Sequence, residues 1–396
     1  MNEILRAPSV NQINLHPIVA AARDLSGLIA EQAEESEQSQ RIPESTINQL
    51  HDAGFFRMAT PKEYGGDEVD LLTAFEAYEI LGAADASVAW VVLIISANPF
   101  FMGSALGDQA WRATYGQNPD FRSAGQVGPL GKAIKVDGGY RISGRWNYGS
   151  GAEYCESLIT GCHVYDGDQP VLNEHGYPEW RIFLHKLSEC TLIGDSWNAT
   201  GLRASGSYDY TIEDLFVPAD WSFVFGNVIN ELKNPIYNYI GAPFSQLAAA
   251  MLGMAGEAIK TVTDLAKTKR RGPLLMREDP ALLVRLAEAE AMRASARAYM
   301  LDATRVLLGA LSNDRASSTK ERAHYRLAAT NAMNSAVKAI DMMYKAAGGS
   351  AIRRGAPLER MFRDVHTAQT HIQFGDSVYP KASRVMLGID PQDPMF

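Results

Sequence analysis

Three cysteines in a chain of 396 residues cannot make a disulfide framework, and the spacing of Cys155, Cys162 and Cys190 fits no zinc site. A reducing cytoplasm is therefore the expected compartment, and no metal is expected. Long apolar runs are also missing. The longest candidate, 86–106, is broken by Ser96, Asn98, Pro99 and Gly103. It falls short of the roughly 18 uninterrupted apolar residues of a membrane span, and reads as a buried helix ending at the Asn98-Pro99 pair. The first residues carry no hydrophobic core of a secretory signal, so none is expected. Basic charge is in deficit: 37 Lys and Arg against 46 Asp and Glu leave a net charge of −9. That balance excludes a general nucleic-acid binder, which needs a basic face. One basic cluster, Lys267-Thr-Lys-Arg-Arg271, suits a local phosphate or a solvated helix end equally. No internal repeat occurs, and the one biased run, 31–40, reads as a solvated helix face.

What is present is 46% hydrophobic and 21% charged, the balance of a globular chain, in a length that calls for more than one domain. Three textures follow one another, predicting a helical domain over 1–120, a β domain over 121–226 and a helical bundle over 227–396. In the first, apolar residues recur at helical spacing from Ile18 to Ala30. Further helices start at Pro43, at Leu71 and after an N-cap at Asp85. In the second, short β-branched and aromatic runs alternate with glycine and aspartate turns, and Asp137-Gly-Gly139 signals a hairpin. Such spacing suits a small barrel or sandwich, with 166–180 as an exposed excursion. In the third, alanine-rich helices are predicted over 246–266, 279–306, 319–347 and 357–374, with small residues that allow close packing.

Chemistry concentrates around Arg141-Ile-Ser-Gly-Arg-Trp-Asn-Tyr-Gly-Ser-Gly151, a strand pattern running into a tight corner. Glycine lets backbone approach a flat ligand closely, and Ser150 adds a hydroxyl. Ser123-Ala-Gly-Gln-Val-Gly128 and Arg203-Ala-Ser-Gly-Ser207 offer N–H groups and hydroxyls of the kind that cradle phosphates.

Four segments, in this order, resemble the acyl-CoA dehydrogenase superfamily over nearly the whole chain. They are Leu50-His-Asp-Ala-Gly-Phe-Phe-Arg-Met with Pro61-Lys-Glu-Tyr-Gly-Gly66; Gly139 to Gly151; Gly201-Leu-Arg-Ala-Ser-Gly-Ser207 with Phe216-Val-Pro218; and Gly348-Gly349 with Glu359-Arg-Met-Phe-Arg-Asp364. The resemblance implies a mostly α fold with a central β domain: an N-terminal helical domain, a small β barrel and a C-terminal four-helix bundle. The dehydrogenases of this family most often place a glutamate just after the Arg-Asp helix, and some members place it earlier in the bundle. Here that segment reads Thr370-His-Ile-Gln-Phe-Gly-Asp376. It is more similar to the two-component flavin-dependent monooxygenases, as is Trp197-Asn-Ala-Thr-Gly-Leu-Arg-Ala-Ser-Gly-Ser207.

The monooxygenase resemblance implies an enzyme that takes reduced FAD or FMN from a separate NAD(P)H:flavin reductase. It would use O2, through a C4a-hydroperoxyflavin, to hydroxylate a small aromatic or heteroaromatic, indole-like substrate. Such a site must be dry, with fixed hydrogen bonds at the reacting centre. By the resemblance, Ser150 and the Gly149–Gly151 backbone lie near flavin N5 and Trp146 at its edge. Gln126, Val127, Arg203, Ser205, Ser207, Gly348 and Gly349 contact the cofactor. A basic residue near the start of a bundle helix, Lys269, Arg270 or Arg271, reaches a neighbour's flavin in a homotetramer. His371 is the expected catalytic imidazole, able to deprotonate a phenol or hold the distal oxygen. His366, about 140° round an ideal helix, is expected elsewhere. Asn98 stands where several aromatic hydroxylases carry a histidine, and is expected to donate a hydrogen bond. That replacement points to an electron-rich or neutral substrate, such as an indole or a thioether, which needs no base before attack. Phe100, Phe101, Met102, Tyr237, Tyr239 and Phe244 are candidates for an aromatic lining or for ordinary core. Alternatives at this stage are an acyl-CoA dehydrogenase-like flavin oxidoreductase, an N-oxygenase of an amino sugar and a catalytically silent family member.

Overall fold

A computed structural model describes residues 10–103, 105–225, 232, 234–311, 315–393 and 396, without the side chains of residues 10, 11, 238 and 244. The N-terminal segment folds into α1 (Val10–Leu15), α2 (Pro17–Ser39), α3 (Glu44–Asp52), α4 (Leu71–Ala84), α5 (Ala86–Met102) and α6 (Asp108–Ala113). Capping sets several starts. Asp70 accepts from Leu72 and Thr73 at the head of α4, and Asp85 accepts from Val88 at the head of α5.

Helix α5 departs from the sequence expectation. It runs through Pro99 to Met102 instead of stopping at the Asn-Pro pair. Proline costs one backbone bond, but all of α5 except Ile94 is buried, and tertiary packing outweighs the local break. The Gly103 N–H closes the last turn onto the Pro99 carbonyl at 2.8 Å.

The central segment is one sheet of β1 (Ser123–Val136), β2 (Gly139–Gly149), β3 (Ser157–Asp166), β4 (Gln169–Pro170), β5 (Trp180–Lys186), β6 (Thr191–Ile193), β7 (Tyr208–Pro218) and β8 (Ser222–Val224). Its order is β6-β7-β2-β1-β3-β5-β8, with β4 on β3. The Asp137-Gly138 turn closes the β1–β2 hairpin with Val136 opposite Gly139. β1 and β3 run parallel, and their register shifts twice between Gln126 and Gly131. Such bulges re-aim a strand locally.

The C-terminal helices are α7 (Ala242–Ser245), α8 (Leu247–Thr268), α9 (Pro280–Leu311), α10 (Thr319–Ala347), α11 (Pro357–Gln369) and α12 (Val378–Met386). Arg297 of α9 binds Glu76 at 2.5 Å and Glu79 at 2.6 Å, tying the bundle to α4. Helix α11 ends five residues before the predicted Phe374, which takes His371 off the helix. Among the described residues no helix is long and apolar enough to cross a membrane.

Candidate active site

The corner after β2 packs on α5. Gly151 has φ +69°, and a Cβ there would meet Val91 at 2.9 Å, so glycine serves both the turn and the close approach. The Gly151 N–H donates to the Ser205 carbonyl at 2.9 Å. That bond draws the 203–207 segment alongside, and the hydroxyls meet. Ser150 Oγ lies 2.7 Å from Ser207 Oγ, which lies 2.7 Å from Ser205 Oγ. All three serines are buried.

From α5, Trp90 Nε1–H donates to Ser150 Oγ at 3.2 Å. The indole of Trp90 packs edge-on against the His371 imidazole, with ring centroids 5.4 Å apart. One contiguous chain, Ser205–Ser207–Ser150–Trp90–His371, thus joins the β domain, the N-terminal helices and the C-terminal segment.

His371 reaches this place because α11 has ended. It caps the short turn Ile372–Phe374, with Nδ1 accepting the Gln373 N–H at 3.4 Å. Burial, with the nearby Arg326 charge, pushes its pKa down to about 4. The ring is then neutral at pH 7. With Nδ1 accepting, Nε2 carries the proton, so His371 presents a hydrogen-bond donor rather than a base. His366 is separate, 2.9 Å from Asp341.

The loop bearing the serines is clamped by α11. Leu202 takes the left-handed φ of +50°, and its N–H donates to Asp364 Oδ1 at 2.6 Å. Arg363 donates to the Thr200 carbonyl at 2.8 Å and also pairs with Glu359 and Glu37. Arg363 and Asp364 therefore brace this loop, each residue bonded to the loop rather than to the other. Burial, with Asp85 beside it, pushes the Asp364 carboxyl up to about 7.

Between the unfolded value near 4 and about 7, the folded state keeps a proton on Asp364 that the unfolded chain has lost. Stability therefore falls as pH rises through that window. Asp364→Asn removes the titration and keeps an oxygen for Leu202. It is expected to gain about 2 kcal/mol on wild type between pH 5 and pH 8. Denaturant midpoints at the two pH values measure this; an offset equal at both would refute the raised pKa.

Other predicted residues lie apart from the chain of contacts. Trp146 is fully buried, stacked on Tyr210, and its Nε1–H donates to the Gly161 carbonyl at 2.7 Å. Its indole belongs to the core under the sheet. The Asn98 amide N–H donates to the Ser123 carbonyl and braces α5 to β1. Gln126 and Val127 sit on the β1 bulge. The Gln126 N–H donates to Tyr210 Oη at 3.1 Å, and the Val127 carbonyl accepts from Trp180 at 2.7 Å. A buried network fixes that bulge, since Tyr210 Oη lies 3.2 Å from Thr160 Oγ1, itself 2.8 Å from His185 Nε2.

Arg203 donates to the Ala199 carbonyl at 3.1 Å. Arg270 is exposed and donates to the Pro273 carbonyl. Gly348 and Gly349 follow the end of α10, where Lys269 donates to Ala347 O at 3.0 Å and to Ser350 at 2.6 Å. Arg271 donates to Ala346 O there, so two of the three expected cations cap the carbonyl end of α10.

Of the aromatic candidates, Phe100 packs on Tyr237 at 4.9 Å and borders a small cavity with Tyr78, Ser96 and Gln246. Phe101 and Met102 belong to a separate cluster around Trp111. The Phe244 side chain lies outside the described residues. Trp90 is the site residue that sequence reasoning missed, because an aromatic in an apolar helix looks like core.

The chain matches the family described as acyl-CoA dehydrogenase, N-terminal domain, over residues 18–116, and acyl-CoA dehydrogenase, C-terminal domain, over residues 245–375. It is 30% identical over 387 residues to a pigment production hydroxylase of Rhodococcus sp., covering 93% of this chain and 95% of that one. It is 29% identical over 385 residues to the flavin-dependent monooxygenase oxygenase subunit HsaA of Mycobacterium tuberculosis, covering 92% and 93%. Among solved structures, 3-HSA hydroxylase from Rhodococcus sp. RHA1 superposes with a TM-score of 0.89 at 25% identity, covering 97% of this chain and 100% of that one.

Proposed function

The chain belongs to the acyl-CoA dehydrogenase family, in its flavin-dependent monooxygenase branch, and from that premise we propose that it is the oxygenase component of a two-component system that hydroxylates a small aromatic or heteroaromatic ring. Reduced FAD or FMN comes from a separate NAD(P)H:flavin reductase, and dioxygen is the co-substrate. A cytoplasmic homotetramer is the assembly proposed.

The residues present suit a flavin. Ser150, Ser205 and Ser207 form a buried hydroxyl row able to donate or accept, and the Gly149–Gly151 corner keeps backbone close. A buried polar atom without a partner, Gln373 Oε1, two residues after His371, adds an acceptor for a ligand with a polar rim. When bound in its reduced form, the flavin supplies the two electrons that activate dioxygen.

The chain's own residues do the rest. Ser150 and the corner backbone hold the ring's polar edge. Trp90 fixes the Ser150 hydroxyl and the His371 ring at once. Neutral His371 donates from Nε2 to the reacting oxygen. The observation that carries this reading is the unbroken contact chain from Ser205 to His371. A dehydrogenase would need a carboxylate facing the substrate carbon. The buried carboxylates behind this site, Asp364 and Asp85, are engaged by the Leu202 and Val88 N–H groups.

The test is a single turnover with reduced flavin, an aromatic panel including indole, and 18O2. One labelled oxygen per product, dependent on the protein, is the expected result. Reoxidation of the flavin with no labelled product from any aromatic would overturn the reading.

A further inference from the structure

Arg326, on α10, is 4% exposed, and its Nε and Nη1 hydrogens meet no acceptor. Two other arginines also bury nitrogens without an acceptor, Arg122 its Nε and Arg181 its Nε and Nη1. Each of those pairs with a carboxylate, Glu156 at 3.1 Å and Glu179 at 3.5 Å. Among the described residues Arg326 forms no ion pair. Its guanidinium lies 5.0 Å over the Phe396 ring, on an apolar wall with Ala323, Val378, Ala382 and Val385. The neighbouring carboxylate, Asp393, is held by Lys381 at 2.7 Å. A buried, uncompensated guanidinium is costly, and a fold keeps one where an anion arrives to pair with it.

Its place says which anion. Its apolar wall includes Val378, which opens α12 just after the turn that His371 caps, and its charge helps to hold the imidazole pKa down. Arg326 follows Tyr325, whose hydroxyl accepts from Gln246 at 2.7 Å and donates to the Ala242 carbonyl at 2.8 Å. Gln246 Oε1 is buried without a donor. Unmet donors on Arg326 and an unmet acceptor on Gln246 thus belong to the two neighbours of Tyr325, one in sequence and one through its hydroxyl.

We propose that Arg326 is the specificity-determining residue of the substrate pocket, and that the aromatic substrate carries a carboxylate on a side arm that this guanidinium binds. The inference rests on the reading that His371 faces an aromatic substrate. The planar, always-charged guanidinium suits a carboxylate, and burial strengthens the pairing. The ring itself stays uncharged, as a neutral donor at His371 requires.

The test is calorimetric titration of the full chain, without flavin or oxygen, with matched pairs: benzoate and benzamide, phenylacetate and phenylacetamide. In wild type at least one carboxylate should bind about tenfold or more tighter than its amide. Arg326→Met should abolish that preference, and Arg326→Lys should retain part of it. No preference in wild type for any carboxylate, or a preference that survives Arg326→Met, overturns the proposal. A phosphate of the cofactor is the other source of an anion, so FMN and riboflavin are titrated as well. Arg326→Met should leave their affinity ratio unchanged; loss of that ratio with the carboxylate preference intact would assign Arg326 to the phosphate instead. Ligand-free Arg326→Met should melt at or above the wild-type temperature, since it relieves an unpaired charge. A lower melting temperature would give Arg326 a structural role and overturn the proposal. Because no turnover is read, failure of oxygenation and failure of carboxylate binding remain distinct results.

Discussion

Replacement of His371 by alanine is expected to cut product formed per reduced flavin consumed by about a hundredfold, the scale seen when a fixed donor to a reacting oxygen is removed. The fold should survive, because the hydrogen bond by which the ring caps its turn, from the Gln373 N–H to Nδ1, is long at 3.4 Å. The physical argument concerns protonation. Burial holds the imidazole pKa near 4, so the residue does not titrate between pH 6 and 8. A catalytic base with an ordinary pKa would give a rising limb near 6.5 in the pH–rate profile. The donor assigned here gives none, and His371→Gln, which keeps an N–H, should restore part of the coupling. Quantifying product against flavin oxidised in the three proteins settles it. Unchanged coupling in His371→Ala removes the residue from the chemistry.

Gly201→Ala is expected to cost about 3 kcal/mol or more, and with it the integrity of the site. A Cβ at position 201 would lie 2.2 Å from the Arg363 carbonyl oxygen, 2.4 Å from its carbon and 2.6 Å from the Asp364 nitrogen. All three are backbone atoms of α11, so no side-chain rotation relieves the contact. The loop must lift, the Leu202–Asp364 hydrogen bond breaks, and the Ser205 and Ser207 hydroxyls move away from Ser150. Gly349→Ala is the control: its Cβ would meet nothing within 4 Å, and a change of about 0.5 kcal/mol or less is expected. Urea denaturation of both variants is the measurement. Equal stability in Gly201→Ala and wild type would show that the loop does not need this approach to α11.

These two residues also show how far the sequence could be read. His371 and the corner at Ser150 stood out because polar and glycine residues in short motifs carry local chemical meaning. Gly201 and Asp364 lay in separate motifs 163 positions apart, and nothing in either indicated that one packs on the other. The packing of Trp146 was hidden for a related reason. An aromatic in a strand has two faces available, and the stacking of Tyr210 with the bond to Gly161 turned this one inward. The Asn98 amide meets a buried backbone carbonyl at Ser123 that needs a donor, and that demand is invisible without the third dimension.

The sequence by itself determined the succession of helical, β and helical segments, the family, and the absence of a dehydrogenase glutamate after Arg363-Asp364. Periodicity, turn chemistry and short motifs are local, and each is written within a few neighbouring residues. Only the tertiary structure decided that Trp90 links Ser150 to His371, that the end of α11 frees His371 to cap a turn as a neutral donor, and that Arg326 is buried without an anion. Each of those depends on which groups lose water together. Burial, not residue type, set the imidazole's charge and left the guanidinium in want of a partner.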